Sequence, residues 1–365
     1  SHNLGRFTVP TSQLQQGWMN TSAFSVIDVD KQEFLGAIVV DEPERGAAGI
    51  WSIACNDESV FISHSGTHEV SVIDHKAMLE KFLNYPNKAV LDYDLTFLYG
   101  LRERIPLEGN GPRNMILNGD KLIIPTYFAD ILNIMDINTN EVTSVELNPG
   151  REETAENKGE RYFNDASHCF QNWQSCNGCH PGDARTDGMN WDLMNDGVGN
   201  SKNCKSMLFS HMTPPNMISG IREHAERAVR AGFNFIQFFE VSEEDAACVD
   251  AYLKSLRPVP SPYLVNGELS DLAKEGQKVF EKLKCGECHS GVYYTDMKYH
   301  RIGEDIEFEK GWDTPTLREV WRTAPYLFDG RAATMKEVFS VHKHGIEKKV
   351  SEKDIEALTE YVNSL

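Results

Sequence analysis

The sequence Cys176-Asn-Gly-Cys179-His180 returns with the same spacing as Cys285-Gly-Glu-Cys288-His289. In a C-x-x-C-H pattern, two thiols on one helical turn form thioethers with the vinyl groups of a haem, and the adjacent histidine binds the iron. Cysteine and histidine are scarce here, at 8 and 12 of 365 residues. Chance would supply roughly 0.006 such motifs in a chain of this composition. The sequence therefore predicts two covalently bound haem c groups.

Paired cysteines can also bind zinc or act as redox-active dithiols. A single zinc ion could bind both pairs, but four-cysteine zinc sites usually place their pairs about 15–20 residues apart and need no following histidine. Here 109 residues separate Cys176 from Cys285. Two redox-active dithiols are the other alternative, and neither motif lies in the βαβ pattern that such dithiols favour. Haem attachment remains the better interpretation.

Charge and composition narrow the partners and the compartment. The chain carries 55 acidic and 36 basic residues, a net charge of −19, which repels nucleic acid and anionic lipid and favours a basic electron-donor protein. The sequence contains no run of about 18 apolar residues, which a membrane-spanning helix would need. The N-terminus lacks the features of an export signal. Because haem c is attached outside the cytoplasmic membrane, a periplasmic or exported location is expected. Such an oxidising compartment would permit Cys169, Cys204 and Cys248 to form disulfides.

An internal repeat organises the C-terminal part of the chain. A shift of 109 residues brings the first haem motif onto the second and the segment Tyr252–Leu256 onto Tyr361–Leu365. The last segment has apolar residues at helical spacing after Ser351, which is expected to cap the helix. The prolines of Pro258–Pro262 end the earlier helix. We therefore predict two mainly α cytochrome c-type domains, at 151–262 and 263–365.

Residues 1–150 have the period of β-strands. The stretch Ala54–Asp74 matches Ile116–Asp136 without a gap, and both are predicted to run strand, turn, strand, loop, strand. This pattern is typical of β-propeller blades, with an ordinary antiparallel meander as the alternative. Propellers close with about 4–8 blades, and this region has room for about three. The expected fold is thus multidomain α+β: an incomplete propeller-like region, completed outside the chain or left open, followed by two cytochrome domains.

Two further segments, Gly311–Arg318 and Thr323–Arg331, resemble the C-terminal domain of bacterial di-haem cytochrome c peroxidases. The same family includes the di-haem oxidase that matures methylamine dehydrogenase by modifying tryptophan in a partner protein. The resemblance covers residues 160–365. It implies a peroxidatic haem at Cys176 that reduces hydrogen peroxide, and an electron-transferring haem at Cys285 that relays electrons to it.

The resemblance also implies a sixth ligand for the second iron. In the family this ligand, Met or Tyr, stands at a fixed distance after the Thr-Ala-Pro-Tyr motif, and here that distance leads to His342. His344 is the nearest alternative ligand, and Met335 is a further one that lies earlier in the chain. His342 could also be a solvated surface histidine with no role as a ligand. Ligation by two histidines would lower the potential relative to His/Met ligation.

The repeat predicts that the first iron lacks this ligand. The residue that corresponds to His342 is Gly232, which has no side chain, and residues 181–203 contain no histidine. His211 and Met212 are the rival ligands from farther away. An open or water-bound first haem is therefore expected.

Peroxide cleavage needs a base and a polar group near the reacting oxygens. Candidates in the first cytochrome domain are His211, Glu226 and Arg222, with Gln237 and Glu240 behind them. His211 could instead be a packing histidine, and Arg222 could pair with a haem propionate.

Family members also bind calcium through an asparagine side chain and the carbonyls of the Thr-Ala-Pro segment. The matching positions are Asn203, Thr323 and Pro325. Calcium prefers oxygen ligands of this kind.

The leading hypothesis is a peroxidase-like oxidoreductase that takes electrons from a small redox protein. Two alternatives stay open: an enzyme that uses peroxide to oxidise a partner protein, and a non-catalytic di-haem electron carrier or sensor. The sequence leaves the oligomeric state open.

Overall fold

The computed structural model describes residues 2–5, 20–192, 202–302 and 309–365. The chain forms two compact units, one of Ser1–Gly178 with Gly232–Val249 and one of Cys179–Ala231 with Asp250–Leu365. The domain limits inferred from the sequence follow the haem motifs instead and stay a prediction. No helix within these described ranges has the length and apolar character that crossing a membrane requires.

The first unit is built mainly from antiparallel strands. These form a three-stranded sheet and two four-stranded sheets, and in each sheet the strands follow sequence order. The strands are β1 (His2–Gly5), β2 (Asn20–Asp28), β3 (Glu33–Val39), β4 (Ile50–Cys55), β5 (Ser59–His64), β6 (Glu69–Asp74), β7 (Arg102–Pro106), β8 (Ile116–Asn118), β9 (Lys121–Pro125), β10 (Ile131–Asp136) and β11 (Val142–Glu146).

Both four-stranded sheets are meanders, as the sequence match between Ala54–Asp74 and Ile116–Asp136 predicts. β5 and β6 pair without a break, as do β9 and β10. The turn before β5 is closed by Asn56, whose side-chain oxygen accepts hydrogen bonds from the backbone N–H groups of Glu58 and Ser59. The mixed α and β character is confirmed. Within the described part of the chain the sheets do not close into a barrel, so the propeller stays a prediction.

Strand β5 is buried on both faces and joins two apolar clusters. Its alternating side chains explain this, because Phe61 and Ile62 point to opposite sides of the sheet. Ile62 packs with the first sheet and with the helix α1 (His75–Leu83), whose Phe82 is fully buried. Phe61 packs with Leu122 of the other four-stranded sheet. The sheets of this unit are therefore held together through one central strand.

The C-terminal part is mainly helical and contains three two-residue ladders, Asn190–Trp191 with Lys202–Asn203, Leu264–Val265 with Glu268–Leu269, and Tyr299–His300 with Trp312–Asp313. The remaining helices are α2 (Ala155–Asn164), α3 (Ala225–Gly232), α4 (Glu243–Ser255), α5 (Asp271–Lys282), α6 (Met335–Ser340) and α7 (Glu352–Asn363). Short helical turns cover Lys88–Tyr93, Phe170–Asn172, Cys176–Gly178, Pro181–Ala184, Ser210–Met212, Phe233–Gln237, Cys285–Glu287 and Val320–Arg322.

The internal repeat is confirmed by the order of these elements. In each copy a haem-motif turn, a two-residue ladder, a second helical turn and a closing helix follow one another. An isolated bridge recurs as well, Asn216 with Arg222 in the first copy and Tyr326 with Ala332 in the second. The sequence agreement therefore reflects a shared backbone path and not only shared cysteines.

Helices α5 and α7 pack closely in the second copy of the repeat. Ser351 caps α7 as predicted, accepting a hydrogen bond from Asp354 N at 3.1 Å. Close approach depends on Gly276 in α5, because a Cβ atom built there would lie 1.8 Å from the carbonyl oxygen of Ala357. No larger residue fits at Gly276 without moving one helix.

We predict that Gly276→Ala lowers the free energy of unfolding by about 1–3 kcal/mol, because overpacking outweighs the better helix propensity of alanine. Urea unfolding followed by circular dichroism measures the change. Gly232→Ala is the matched control: a Cβ there meets nothing within 4 Å, so stability should stay level or rise. Equal stability of Gly276→Ala and the wild type would contradict the packing argument.

Candidate functional site

The first haem motif places its thiols and its histidine on adjacent turns. Cys176–Gly178 forms a helical turn, and desolvation raises the pKa of the Cys176 thiol to about 12. The half-buried His180 follows, and its Nδ1 lies 3.0 Å from the carbonyl oxygen of Arg185. A neutral imidazole that donates through Nδ1 keeps the Nε2 lone pair free for a metal.

The second motif repeats this arrangement. Cys285–Glu287 forms the turn, and the N–H of His289 donates to the carbonyl oxygen of Cys285 at 2.9 Å. His289 Nδ1 lies 3.1 Å from the carbonyl oxygen of Tyr294. Desolvation lowers the pKa of both proximal histidines, so both rings are neutral at neutral pH. The residues of both motifs thus have the protonation state and the orienting hydrogen bond that haem iron requires.

A second histidine faces His289. The ring centres of His289 and His344 are 6.3 Å apart, with 50° between the ring planes. Desolvation, with a contribution from His289, lowers the pKa of His344 to about 4. His342 is also half-buried, but the ring that faces His289 is that of His344. A turn after α6 brings it there, with His344 N bonded to the carbonyl oxygen of Val338 at 3.0 Å.

The separation of this pair fits one iron between two imidazoles. Metal–nitrogen bonds to histidine are about 2.0 Å long, which places the centres of two opposed rings roughly 6 Å apart. The structure thus favours His344, the alternative to His342, as the sixth ligand. Met335 is buried in an apolar cluster beside Val338 and Phe339, which accounts for it without a role at the iron.

Among the described residues, the first repeat shows no second imidazole that faces His180 as His344 faces His289. The residue that corresponds to His344 is Asn234, which is exposed, and Gly232 corresponds to His342 as the sequence indicates. His211, the rival ligand for the first iron, instead bonds to a carboxylate: its Nε2 lies 3.0 Å from Asp250 Oδ1. The asymmetry expected between the two haem sites is therefore supported by the described residues, while the coordination of the first iron stays a prediction.

His211 lies in a buried polar group. Its side chain is 1% exposed, and the second carboxylate oxygen of Asp250 accepts a hydrogen bond from Arg230 at 2.5 Å. On the other side of the ring, Ser210 Oγ lies 3.4 Å from His211 Nδ1. Asp250 thus orients the imidazole with Nε2 as the donor and Nδ1 as the acceptor. This arrangement satisfies the packing interpretation and also prepares Nδ1 to accept a proton.

The other two catalytic candidates, Glu226 and Arg222, are less well placed than His211 for proton transfer. Glu226 pairs with Lys254 at 3.0 Å and is partly exposed. Burial would raise the pKa of Glu226, but its hydrogen bonds and the charges of Lys254 and His211 hold it below the usual value. Arg222 pairs through its main chain with Asn216. His211 and Glu226 lie within electrostatic range of each other, whereas the contact of Arg222 within the described ranges is made by its main chain.

Asn203 and Pro325, two of the three calcium positions, are adjacent. Asn203 Nδ2 lies 2.5 Å from the carbonyl oxygen of Pro325, whereas the hydroxyl of Thr323 donates to Val320. Across the ladder, Asn190 makes the same contact with the carbonyl oxygen of Asp329 at 2.5 Å. Both amide oxygens are buried, and among the described residues they have no hydrogen-bond partner.

Two orphaned amide oxygens beside main-chain carbonyls form a donor set that suits calcium. Nowhere in residues 2–5, 20–192, 202–302 and 309–365 do three acidic, histidine or cysteine side chains form a metal-binding group. A cation here would therefore depend on amide and carbonyl oxygens. The sequence reasoning missed Asn190, whose ladder position opposite Asn203 becomes visible only in the fold.

None of the eight cysteines is joined to another by a disulfide, including Cys169, Cys204 and Cys248, which an oxidising compartment would permit to pair. Cys204 instead donates to the carbonyl oxygen of Cys179 at 3.2 Å, and its sulfur lies 3.6 Å from His180 Nδ1. Desolvation raises the pKa of this thiol, so it is a neutral neighbour of the proximal histidine.

Comparison with known proteins gives a coarse relationship. No protein-family model matches the chain. The hydrazine synthase subunit gamma of Kuenenia stuttgartiensis is 27% identical over 272 residues, which covers 57% of this chain and 76% of that subunit. A solved structure of hydrazine synthase from the same organism has a TM-score of 0.52 at 24% identity and covers 60% of this chain and 89% of that one. The chains share a fold.

A MauG-like protein associated with microbial copper homeostasis is also similar, with a TM-score of 0.47, 18% identity, and coverage of 60% of this chain and 91% of that one. None of these comparisons singles out a peroxidase.

We predict that His344→Ala converts one low-spin haem to high spin and raises its potential, because the second iron loses an axial imidazole. Electron paramagnetic resonance and a redox titration measure the two effects. The matched control is His342→Ala, two residues away, which should leave both properties unchanged. If His342→Ala gave the spin change and His344→Ala did not, the assignment would pass to His342.

Proposed function

We propose that this chain is a di-haem c-type oxidoreductase that works outside the cytoplasm. Each C-x-x-C-H motif would bind one haem, with His289 and His344 on opposite faces of the second iron. The observation that carries the proposal is the 6.3 Å separation of those two rings in one repeat, together with the exposed Asn234 at the matching position of the other.

This asymmetry implies different roles for two otherwise similar haem sites. An iron with two protein ligands exchanges electrons but has no free position for a substrate, whereas an iron with one histidine keeps a position open. The His289 site is thus assigned to electron transfer and the His180 site to substrate. A net charge of −19 favours a basic redox protein as the electron donor.

The reaction that fits an open haem fed by a second one is the reduction of hydrogen peroxide. The oxygen–oxygen bond breaks, and two electrons from the donor protein and two protons convert one peroxide into two water molecules. A haem bound at the first motif would supply the electron exchange with peroxide. The chain must supply the proton transfers.

His211 is the group best prepared to move a proton. Asp250 fixes its ring, so that Nδ1 is the acceptor, and the charge of Arg230 balances the carboxylate. Glu226, which pairs with Lys254 at 3.0 Å, is a second acid or base in the same segment. Histidine held by a carboxylate is a common arrangement for general acid–base chemistry near neutral pH.

A second candidate function comes from the similarity to hydrazine synthase subunit gamma. In this alternative the open haem acts on a small nitrogen compound, as part of a larger assembly, and peroxide is not its substrate. The two candidates share both haem sites and differ only in the molecule that binds the first iron. Spectra with hydrazine and with peroxide can therefore separate them.

We further propose that calcium binds beside the Thr-Ala-Pro segment, with Asn203 and Asn190 as side-chain ligands and the Pro325 carbonyl completing the protein contribution. Their buried amide oxygens support the proposal, since an unsatisfied buried oxygen costs free energy that a cation would recover.

We predict that the di-haem protein consumes peroxide when it is supplied with a reduced small electron-donor protein. Replacing Cys176 and Cys179 by alanine should abolish turnover, because the substrate haem is lost. Replacing Cys285 and Cys288 should abolish donor-driven turnover while cyanide still binds the remaining haem. Steady-state peroxide loss and optical titration measure these effects.

Three results would contradict this assignment. Two six-coordinate low-spin haems that bind no cyanide would indicate an electron carrier. Spectral binding of hydrazine without peroxide turnover would favour the nitrogen-compound candidate. Peroxide turnover that survives loss of the first motif would reverse the two roles.

The calcium proposal predicts one tightly bound calcium ion per chain, detected by atomic emission after dialysis. Asn203→Ala should lower calcium affinity at least tenfold, and Asn190→Ala should weaken it too, because each removes one oxygen ligand. Asn234→Ala, on an exposed side chain, is the control. Absence of calcium from the wild-type protein would exclude the site.

A further inference from the structure

Glu319 is a fully buried carboxylate that the proposed reaction does not use. It is 1% exposed and lies between the two segments that resemble the peroxidase family. Its oxygens face Arg185, at 2.6 Å from Nε and 3.0 Å from Nη2. The main-chain N–H of Val259 donates to the same carboxylate, and Arg322 Nε lies 3.9 Å away. Every acceptor position of Glu319 is thus directed at a fixed partner.

Arg185 is held equally firmly. It is 3% exposed, and its remaining donors bond to the carbonyl oxygens of Asp183 at 2.5 Å and Arg257 at 3.0 Å. A planar guanidinium that bonds to a carboxylate through two nitrogens has one orientation only. The position of Arg185 is therefore set by Glu319.

Arg185 is also the residue whose carbonyl oxygen accepts the hydrogen bond from His180 Nδ1. The carboxylate of Glu319 thus reaches the first proximal histidine through a single intervening residue. A second-shell acceptor of this kind fixes the ring orientation of a metal-bound histidine and increases its electron donation to the metal.

The matching contact at the second motif is aromatic. Phe209 of the first repeat corresponds to Glu319, and both have left-handed backbone conformations, with φ of 61° and 60°. The ring of Phe209 packs on Tyr293 with 5.0 Å between ring centres. Tyr293 precedes Tyr294, whose carbonyl oxygen accepts the hydrogen bond from His289 and whose ring lies 4.8 Å from the guanidinium of Arg318. Of the two acceptor residues, Arg185 is therefore the one held by a buried ion pair.

We infer that Glu319 is a positioning residue for the first haem, acting through Arg185 on His180 and lowering the reduction potential of that haem alone. The inference rests on the proposed function, since it assumes that His180 binds haem iron. Removing the negative charge leaves the Arg185 cation beside the carbonyl oxygen that His180 uses. The acceptor becomes weaker, His180 donates less electron density, and the reduced iron gains stability.

Glu319→Gln in the full di-haem protein tests this. A spectroelectrochemical titration should show the potential of the first haem shifted upward and that of the second unchanged. Resonance Raman should show a lower iron–histidine stretching frequency at the first haem. Glu319→Asp, which keeps the charge but is one methylene shorter, should give a smaller shift in the same direction. It also provides the measurement if Glu319→Gln fails to accumulate.

Phe209→Leu, at the matching position of the first repeat, is the control and should leave the first haem unchanged. Equal shifts at both haems in Glu319→Gln would overturn the inference, because they indicate a general loosening. An unchanged first haem in both Glu319 variants would overturn it as well. Failure of the proposed function is distinguishable, since wild-type protein would then carry no haem at Cys176.

Discussion

The hydrogen bond from each proximal imidazole to a main-chain carbonyl constrains everything around the two motifs. His180 reaches Arg185, and His289 reaches Tyr294 at the same sequence distance. The bond selects the tautomer that leaves Nε2 for the iron, and it ties the ring to a loop whose own position must then be fixed. Arg185 is fixed by its ion pair with Glu319 of the opposite repeat, whereas the ring of Tyr294 is stacked by Arg318 of its own repeat. The duplicated architecture therefore holds the two acceptor residues by different contacts.

Function follows from the places where the two repeats depart from this common plan. His344 faces His289, while the first repeat has the exposed Asn234. The proposed function rests on this difference, since an iron with one protein ligand would stay open although the cysteines and proximal histidines of the two motifs are alike. In the first repeat the polar residues His211, Asp250 and Arg230 form one hydrogen-bonded group. The proposal accordingly assigns electron transfer to one site, and a substrate with its proton transfers to the other.

The sequence was sufficient to predict features whose residues lie close together in the chain or recur in it. It predicted both haem motifs, the repeat, the Ser351 cap and the matched strands of residues 54–74 and 116–136, because each depends on spacing along the chain. It favoured His342 over His344 as the sixth ligand; that choice stays a prediction and depends on the turn after α6, which spacing along the chain does not define. Asp250 did leave a signal: it interrupts the apolar face formed by Ala246, Val249 and Leu253 on α4. Glu319 left none, because its partner is distant in sequence.

The Glu319–Arg185 ion pair is buried beside the first haem motif, and the other repeat indicates whether stability requires it. A buried carboxylate and guanidinium lose hydration that their attraction barely repays, so apolar residues of similar size usually stabilise a fold equally well. In this chain the position that matches Glu319 in the other repeat is apolar, since Phe209 packs on Tyr293. Stability alone therefore does not account for Glu319 and Arg185. What distinguishes the two haem sites is the iron assigned to the substrate, and that is the one where a nearby charge pair can tune the proximal histidine.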